Sequence, residues 1–315
     1  MTRLVIHPRV RVIGTGCLVL ALAVAATAQP APYSRFGDEG ADFLGPATTP
    51  AASDTVRLGI VVPTTGVAAE AFRIGVELAI ATANQRQQSP PLSAIFGADD
   101  GPWSSASATA VRLVHEAGVQ ALLAGPDGGR AHACELVAAK LWVPVLAPAA
   151  ADHTIDYANV PWMFRLGPDD RQQLSQLLDH ARNQGWKRLA WVGSDERDSR
   201  VAEGTAMRLA REAGDMLVAG RDLAEADALL VWGGVDGAPA LVAEALELSR
   251  GRPLLGPWML AAAGVAAAAD TEFRFCLPAG ERGLPPDGFR RRLPAGMSPA
   301  AMWMAALTYD AIDLL

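Results

Sequence analysis

The chain has 315 residues, 50% of them apolar and 19% charged, with a formal net charge of −7 and a pI near 5.3. That is enough apolar side chain for a large core and enough length for two globular lobes, which excludes disorder over the whole chain. The acidic balance argues against a basic footprint for nucleic acid.

The first 28 residues read as a cleavable export signal. Arg3, Arg9 and Arg11 precede an apolar run from Ile13 to Ala28, and Ala26-Thr27-Ala28 has the small-residue pattern of a cleavage site. A membrane anchor needs about 20 apolar residues, more than this run supplies. Lipid attachment at Cys17 is disfavoured because Gly14-Thr15-Gly16 offers no aliphatic residue ahead of it. The expected location is the periplasm, with no stable membrane insertion once the signal is gone. The remaining 24 cations against 34 acids suit a soluble exported protein. Cys134 and Cys276 could pair there or stand as two buried thiols.

Residues 29–54 are rich in Ala, Pro, Gly and Thr and read as a flexible lead-in. Val56–Val62 reads as a buried strand closed by Pro63, followed by a helix over 68–84 with Phe72, Val76, Ala79 and Ala83 on one face. A strand over 92–98, a helix over 105–117, a strand over 119–124, a helix over 130–141 and a strand over 143–147 continue the alternation. After a proline-bearing segment, 159–168, that suits a hinge, the alternation restarts. Helices are expected over 170–184, 202–213 and 238–249, and strands over 187–193, 229–232 and 253–256. The last helix opens at Ser298-Pro299, a cap followed by proline in the first turn. Alternating apolar strands and helices predict parallel sheets covered on both faces.

The search for reactive chemistry is largely empty. The sequence lacks a P-loop, a zincin helix and a nucleophile elbow, so no catalytic residue, cofactor or metal site is assigned. The five histidines, at 7, 115, 132, 153 and 180, are scattered and read as surface or capping residues. Asp99-Asp100 and Asp169-Asp170 read as helix caps. What remains is geometric: ligands of parallel sheets sit beyond the carboxyl ends of the strands, and two facing lobes make a cleft.

Several stretches resemble the type I periplasmic binding proteins of the branched-chain amino acid transporter class. They are Leu58-Gly59-Ile60-Val61-Val62-Pro63-Thr64-Thr65-Gly66, Arg73 to Ala79 with Asn84, Asp99-Asp100, Ala124-Gly125-Pro126, Val143 to Pro148, Phe164-Arg165-Leu166, Gly256-Pro257 and Tyr309-Asp310-Ala311. They occur in the family's order across residues 55–315. The resemblance implies an α/β fold of two doubly wound parallel-sheet lobes joined by a hinge. Lobe I is expected at 55–164 plus 258–315 and lobe II at 165–257. It further implies a small-molecule ligand closed between the lobes and delivered to the permease subunits of an ABC transporter. The alternative is an envelope sensor or protein-interaction module on a degenerate version of the fold.

The departures from the family pattern define the expected site. Asp127-Gly128-Gly129 stands where relatives carry a serine pair for the ligand carboxylate, and Ala149-Ala150-Ala151 where they carry a threonine. Gly256-Pro257 leads into Trp258, and Asp195 to Ser199 replaces an aromatic cover. Thr64, Thr65, Trp103, Asp195, Trp232, Gly233 and Trp258 join the candidates by loop position. The three tryptophans suit a flatter, less charged ligand, or else they pack the core. Unpartnered buried charges cost several kcal/mol, so the cleft is not expected to take a free α-amino acid in the family's usual way. A covering helix is missing between Gly220 and Asp227, and the chain stops at Leu315 before further family elements. A partner or neighbouring segments are expected to cover the sheet so exposed.

Overall fold

The computed structural model describes residues 53–86, 90–101, 103–158, 160–214, 217–219, 223–261, 272–278 and 284–315. The expected export signal, nearly all of the lead-in and part of the segment after Gly220 lie outside the described residues. Among the described residues no helix is long and apolar enough to cross a membrane.

The first sheet forms around β1 (Val56–Val62), whose residues Leu58, Ile60, Val61 and Val62 are almost wholly buried. β1 is flanked by β2 (Leu92–Ala98) and β3 (Ala121–Ala124), and the sheet continues through β4 (Val145–Ala147) to β5 (Met163–Arg165). Every pairing is parallel, so the carboxyl ends of all five strands share one edge. The period of two in β1 sends Leu58, Ile60 and Val62 towards Phe72 and Val76 of α1 (Val67–Gln85) and Met304 of the last helix. α2 (Trp103–His115) and α3 (Gly128–Leu141) complete the helical cover of this lobe.

The second sheet repeats the plan in the order β7 (Leu217–Ala219), β6 (Arg188–Gly193), β8 (Ala228–Trp232), β9 (Leu254–Pro257) and β10 (Phe273–Cys276), again all parallel. Leu189 and Trp191 face α4 (Asp170–Asn183) and α5 (Arg197–Ala213), whereas Ala190 and Val192 face α6 (Ala238–Ser249). Both lobes are therefore doubly wound, the predicted fold class. α4 starts where expected: Asp169 accepts from Gln172 N at 2.6 Å while the Gln172 side chain reaches back to Asp169 N at 3.2 Å, a capping box.

The proline-bearing segment 159–168 contains β5, which hydrogen-bonds to β4 in the first sheet. Some expectations need correction. Residues 258–315 do not all belong to lobe I, because β10 pairs with β9 in the second sheet. A 3-10 turn, Trp258–Leu260, divides its side chains: Trp258 and Met259 enter the first core and Leu260 the second. α5 begins at Arg197, five residues earlier than its apolar face suggests, because its first turn is polar and turned to the cleft. Cys134 and Cys276 are both buried free thiols, with burial pushing the Cys276 thiol up to about 11. After α7 (Asp287–Arg290), α8 (Pro299–Asp313) opens as predicted, with Ser298 accepting from Ala301 N at 3.2 Å, and packs along α1.

Candidate functional site: the cleft between the sheets

Loops at the carboxyl ends of both sheets enclose a cavity of about 310 Å³. Pro63 comes from the β1–α1 connection and Ala68 from the first turn of α1, Pro126 and Asp127 from the β3–α3 connection and Gly129 and Arg130 from the first turn of α3, and Ala151 from the loop after β4. The second lobe contributes Glu196 to Ser199 at the start of α5 and Trp232 to Asp236 after β8. Met259 and Met304 add apolar surface from the turn after β9 and from α8.

Of the sequence candidates, Asp127, Gly129, Ala151, Trp232 and Gly233 line this cavity. Gly128 adjoins it, and a Cβ there would lie 2.4 Å from Asp152 Cβ, so a serine cannot replace it without moving the loop. Ala149 and Ala150 are buried behind the wall. Thr64 and Thr65 are exposed and turned away from the cavity: the Thr64 N–H donates to Asp100 Oδ1 at 2.8 Å and its hydroxyl to Oδ2 at 2.6 Å. Asp195 is exposed at the rim and offers its carbonyl to the Arg200 guanidinium. Trp258 is 1% exposed and belongs to the first-lobe core, which corrects its assignment to the pocket wall. Trp232 is also nearly buried, packed with its ring 6.0 Å from that of Trp191, and reaches the cavity at one edge only. Trp103 opens α2, and its side chain lies outside the described residues.

The charged residues in the lining carry more information than the tryptophans. Asp127 caps α3, accepting from Arg130 N at 2.9 Å, and also holds the Arg130 guanidinium. Arg130 is further anchored to Asp99, with Nε 2.9 Å from Oδ2 and Nη2 donating to the carbonyl at 2.8 Å. Asp198 reaches from α5 to the other lobe, where its Oδ2 accepts from Gly128 N at 2.7 Å. Asp236 does the same at α1, its Oδ1 accepting from Ala68 N at 3.1 Å. Arg197 crosses the cleft to bind Asp152. Burial and the nearby Asp127 carboxylate push Asp198 up to about 7, against the hydrogen bond from Gly128.

Asp152 is the hub beneath this rim. It receives Arg197, the Thr154 N–H at 2.9 Å and the Thr154 hydroxyl at 2.6 Å, and it lies 3.1 Å from His132 Nε2. Burial opposes its charge, but these hydrogen bonds hold the carboxyl well below the usual range. Asp152, His153 and Asp170 also bring ligand atoms within 4.8 Å of one another, a grouping that could hold a metal ion. Their bonds are nevertheless used internally: His153 Nδ1 lies 2.7 Å from Asp170 Oδ1, and Asp152 is committed to Arg197, His132 and Thr154. His132 and His153 are thus built into polar networks rather than placed as surface or capping residues. The stretch Asp195 to Ser199 was legible as part of the site, but the bonds of Arg130, Arg197, Asp198 and Asp236 to Asp99, Asp152, Gly128 and Ala68 were not, because these partners come from the facing lobe or from a distant strand end.

Comparison with known proteins places this geometry. Residues 55–229 match the family profile described as periplasmic binding protein. A leucine binding protein from Thermotoga maritima superposes with a TM-score of 0.67 at 16% identity, over 81% of this chain and 80% of its own. A solute binding protein of an ABC transporter from R. palustris, solved with benzoate, gives a TM-score of 0.71 at 19% identity, over 83% and 79%. One from Rhodopseudomonas palustris BisB5, solved with 3,4-dihydroxybenzoic acid, gives 0.66 at 18% identity, over 83% and 79%. At these identities the likeness concerns the fold. No curated protein sequence matches the chain.

Proposed function

Because the chain belongs to the periplasmic binding protein family, we propose that it is the exported solute-binding subunit of an ABC-type uptake transporter and that it holds a small non-zwitterionic ligand between its lobes. The observation that carries this reading is the cavity of about 310 Å³ at the facing carboxyl edges of two parallel sheets. Binding there needs no covalent chemistry. Closure on a ligand joins surfaces of both lobes into one face, which is what the permease subunits would recognise. Export through the N-terminal signal would put the chain in the periplasm, where such a subunit works.

Similar folds bind leucine, isoleucine or benzoate-type acids. Among the described residues the lining offers one serine, Ser199, and no serine pair or threonine for an α-carboxylate, and the prediction against free α-amino acids rests on that difference. The test is a thermal-shift screen of the purified mature chain against sugars, amides, amines, aromatic acids and amino acids, followed by calorimetry. A ligand at 100 times its dissociation constant stabilises by about 2.7 kcal/mol, well within reach of such a screen. Micromolar binding of leucine or a similar zwitterion would overturn the ligand assignment. Uniform silence would overturn solute binding itself.

A further inference from the structure

The cleft holds its own anions. Gly128 N, in the first turn of α3, donates to Asp198 of the facing lobe at 2.7 Å, and Ala68 N, in the first turn of α1, donates to Asp236 of the facing lobe at 3.1 Å. A helix N-terminus attracts negative charge through its free N–H groups and its dipole, so both ends are natural seats for a ligand carboxylate. In this chain each seat holds a tethered one. The two cationic side chains on the wall are committed in the same way: Arg130 to Asp99 and Asp127, Arg197 to Asp152.

Resting on the solute-binding reading above, we propose that Asp198 and Asp236 are specificity-determining residues that exclude carboxylate ligands, so that the cleft takes a compound with an apolar body and a cationic head. Three facts on the wall agree. A ligand anion entering here has to displace a chain carboxylate or sit beside Asp127, Glu196, Asp198 and Asp236, and like charges in a partly dry cavity repel strongly. The same crowding works in favour of a cation, which would offset the burial of the Asp198 carboxylate and its repulsion by Asp127 and Asp152, the causes that push Asp198 up to about 7. Between the acids lie Val235, Met259, Met304 and the edge of Trp232, an apolar floor for the body of the ligand.

The experiment uses matched carboxylate, amide and amine compounds on phenyl, isobutyl and cyclohexyl skeletons, titrated into the mature chain at pH 7.5 by calorimetry. The expected order is amine, then amide, then carboxylate, with benzoate at least tenfold weaker than benzylamine. The double variant D198A/D236A, which empties both helix ends, is expected to gain at least tenfold in benzoate affinity. A gain of binding is not produced by misfolding, and if the double variant does not fold, D198N and D236N read the same trend through loss of charge alone. Benzoate binding the wild type as tightly as benzylamine, or no gain in the folded variants, overturns this inference and leaves solute binding intact. Silence of every compound against both wild type and variants overturns this inference as well, whereas solute binding itself falls only if the broader thermal-shift screen is also silent.

Discussion

His132 Nε2 lies 3.1 Å from Asp152 Oδ2 while its Nδ1 lies 3.0 Å from Glu135 Oε2, so one imidazole ties two buried carboxylates at the foot of the cleft. Burial disfavours its charge, but the bonds to Asp152 and Glu135 outweigh burial and raise its pKa to about 9. A group with a raised folded value stabilises fully below its ordinary pKa of about 6.5 and loses that contribution as pH rises through the folded value. The difference in melting temperature between wild type and H132Q is therefore expected to be largest at pH 6 and to close by pH 10. A difference that stays constant over this range would remove the charged imidazole from the account.

Asp198 shows the same pH direction, but here the favoured protonated form is the neutral one. Its pKa is raised to about 7, so it also stabilises most when protonated, below the ordinary carboxylate value, and progressively less as pH rises through 7. Asparagine keeps an oxygen for the Gly128 N–H without the charge. D198N is expected to match wild type near pH 4 and to exceed it in melting temperature at pH 8. Equal melting temperatures at pH 8 would show that the carboxylate is not penalised there.

Much of the fold was legible because its signals are local. The unbroken apolar run Leu58 to Val62, the Asp169–Gln172 box and the Ser298-Pro299 start each lie within a few residues, and each became the element expected. β5, β7 and β10 were not expected: they are as short as β3, β4 and β9, but each is an extra strand in an interval between two expected helices, where strict alternation asks for only one. The cleft was less legible. The loops were identifiable from the strand ends, but the Asp198–Gly128 and Asp236–Ala68 bonds join residues 70 and 168 positions apart, and only the facing of the lobes creates them. Trp258 illustrates the converse: its position after β9 suggested the pocket, while the turn that follows rotates it into the core.

The contact between α1 and α8 depends on a missing side chain. A Cβ at Gly75 would stand 2.5 Å from Ala305 O and 2.8 Å from Thr308 Cβ, and the backbone oxygen cannot yield without moving α8. Overpacking of this kind costs about 1–3 kcal/mol, more than alanine's helix preference of about 1 kcal/mol over glycine returns. G75A is expected to lower the urea midpoint with an unchanged slope. G204A provides the control: a Cβ at that position of α5 meets nothing within 4 Å, so it is expected to raise the midpoint. A rise in both variants would mean that the two helices are less closely packed than the structure has them.

Trp258 and Trp232 separate core from cleft. Trp258 is fully enclosed in the first-lobe core beside Met259 and has no face on the cavity, so its removal acts on stability alone. Truncating a buried tryptophan to alanine costs about 3–5 kcal/mol, a large share of the roughly 5–15 kcal/mol by which a domain is stable. W258F retains a ring at reduced volume and is expected to fold, with a lower urea midpoint and a ligand affinity within twofold of wild type. W232F changes the cavity edge as well as the packing against Trp191, so it is expected to lower both midpoint and affinity. Calorimetry on the two phenylalanine variants, with whichever compound binds the wild type, distinguishes them. A tenfold loss of affinity in W258F at unaltered stability would return Trp258 to the ligand and take it out of the core.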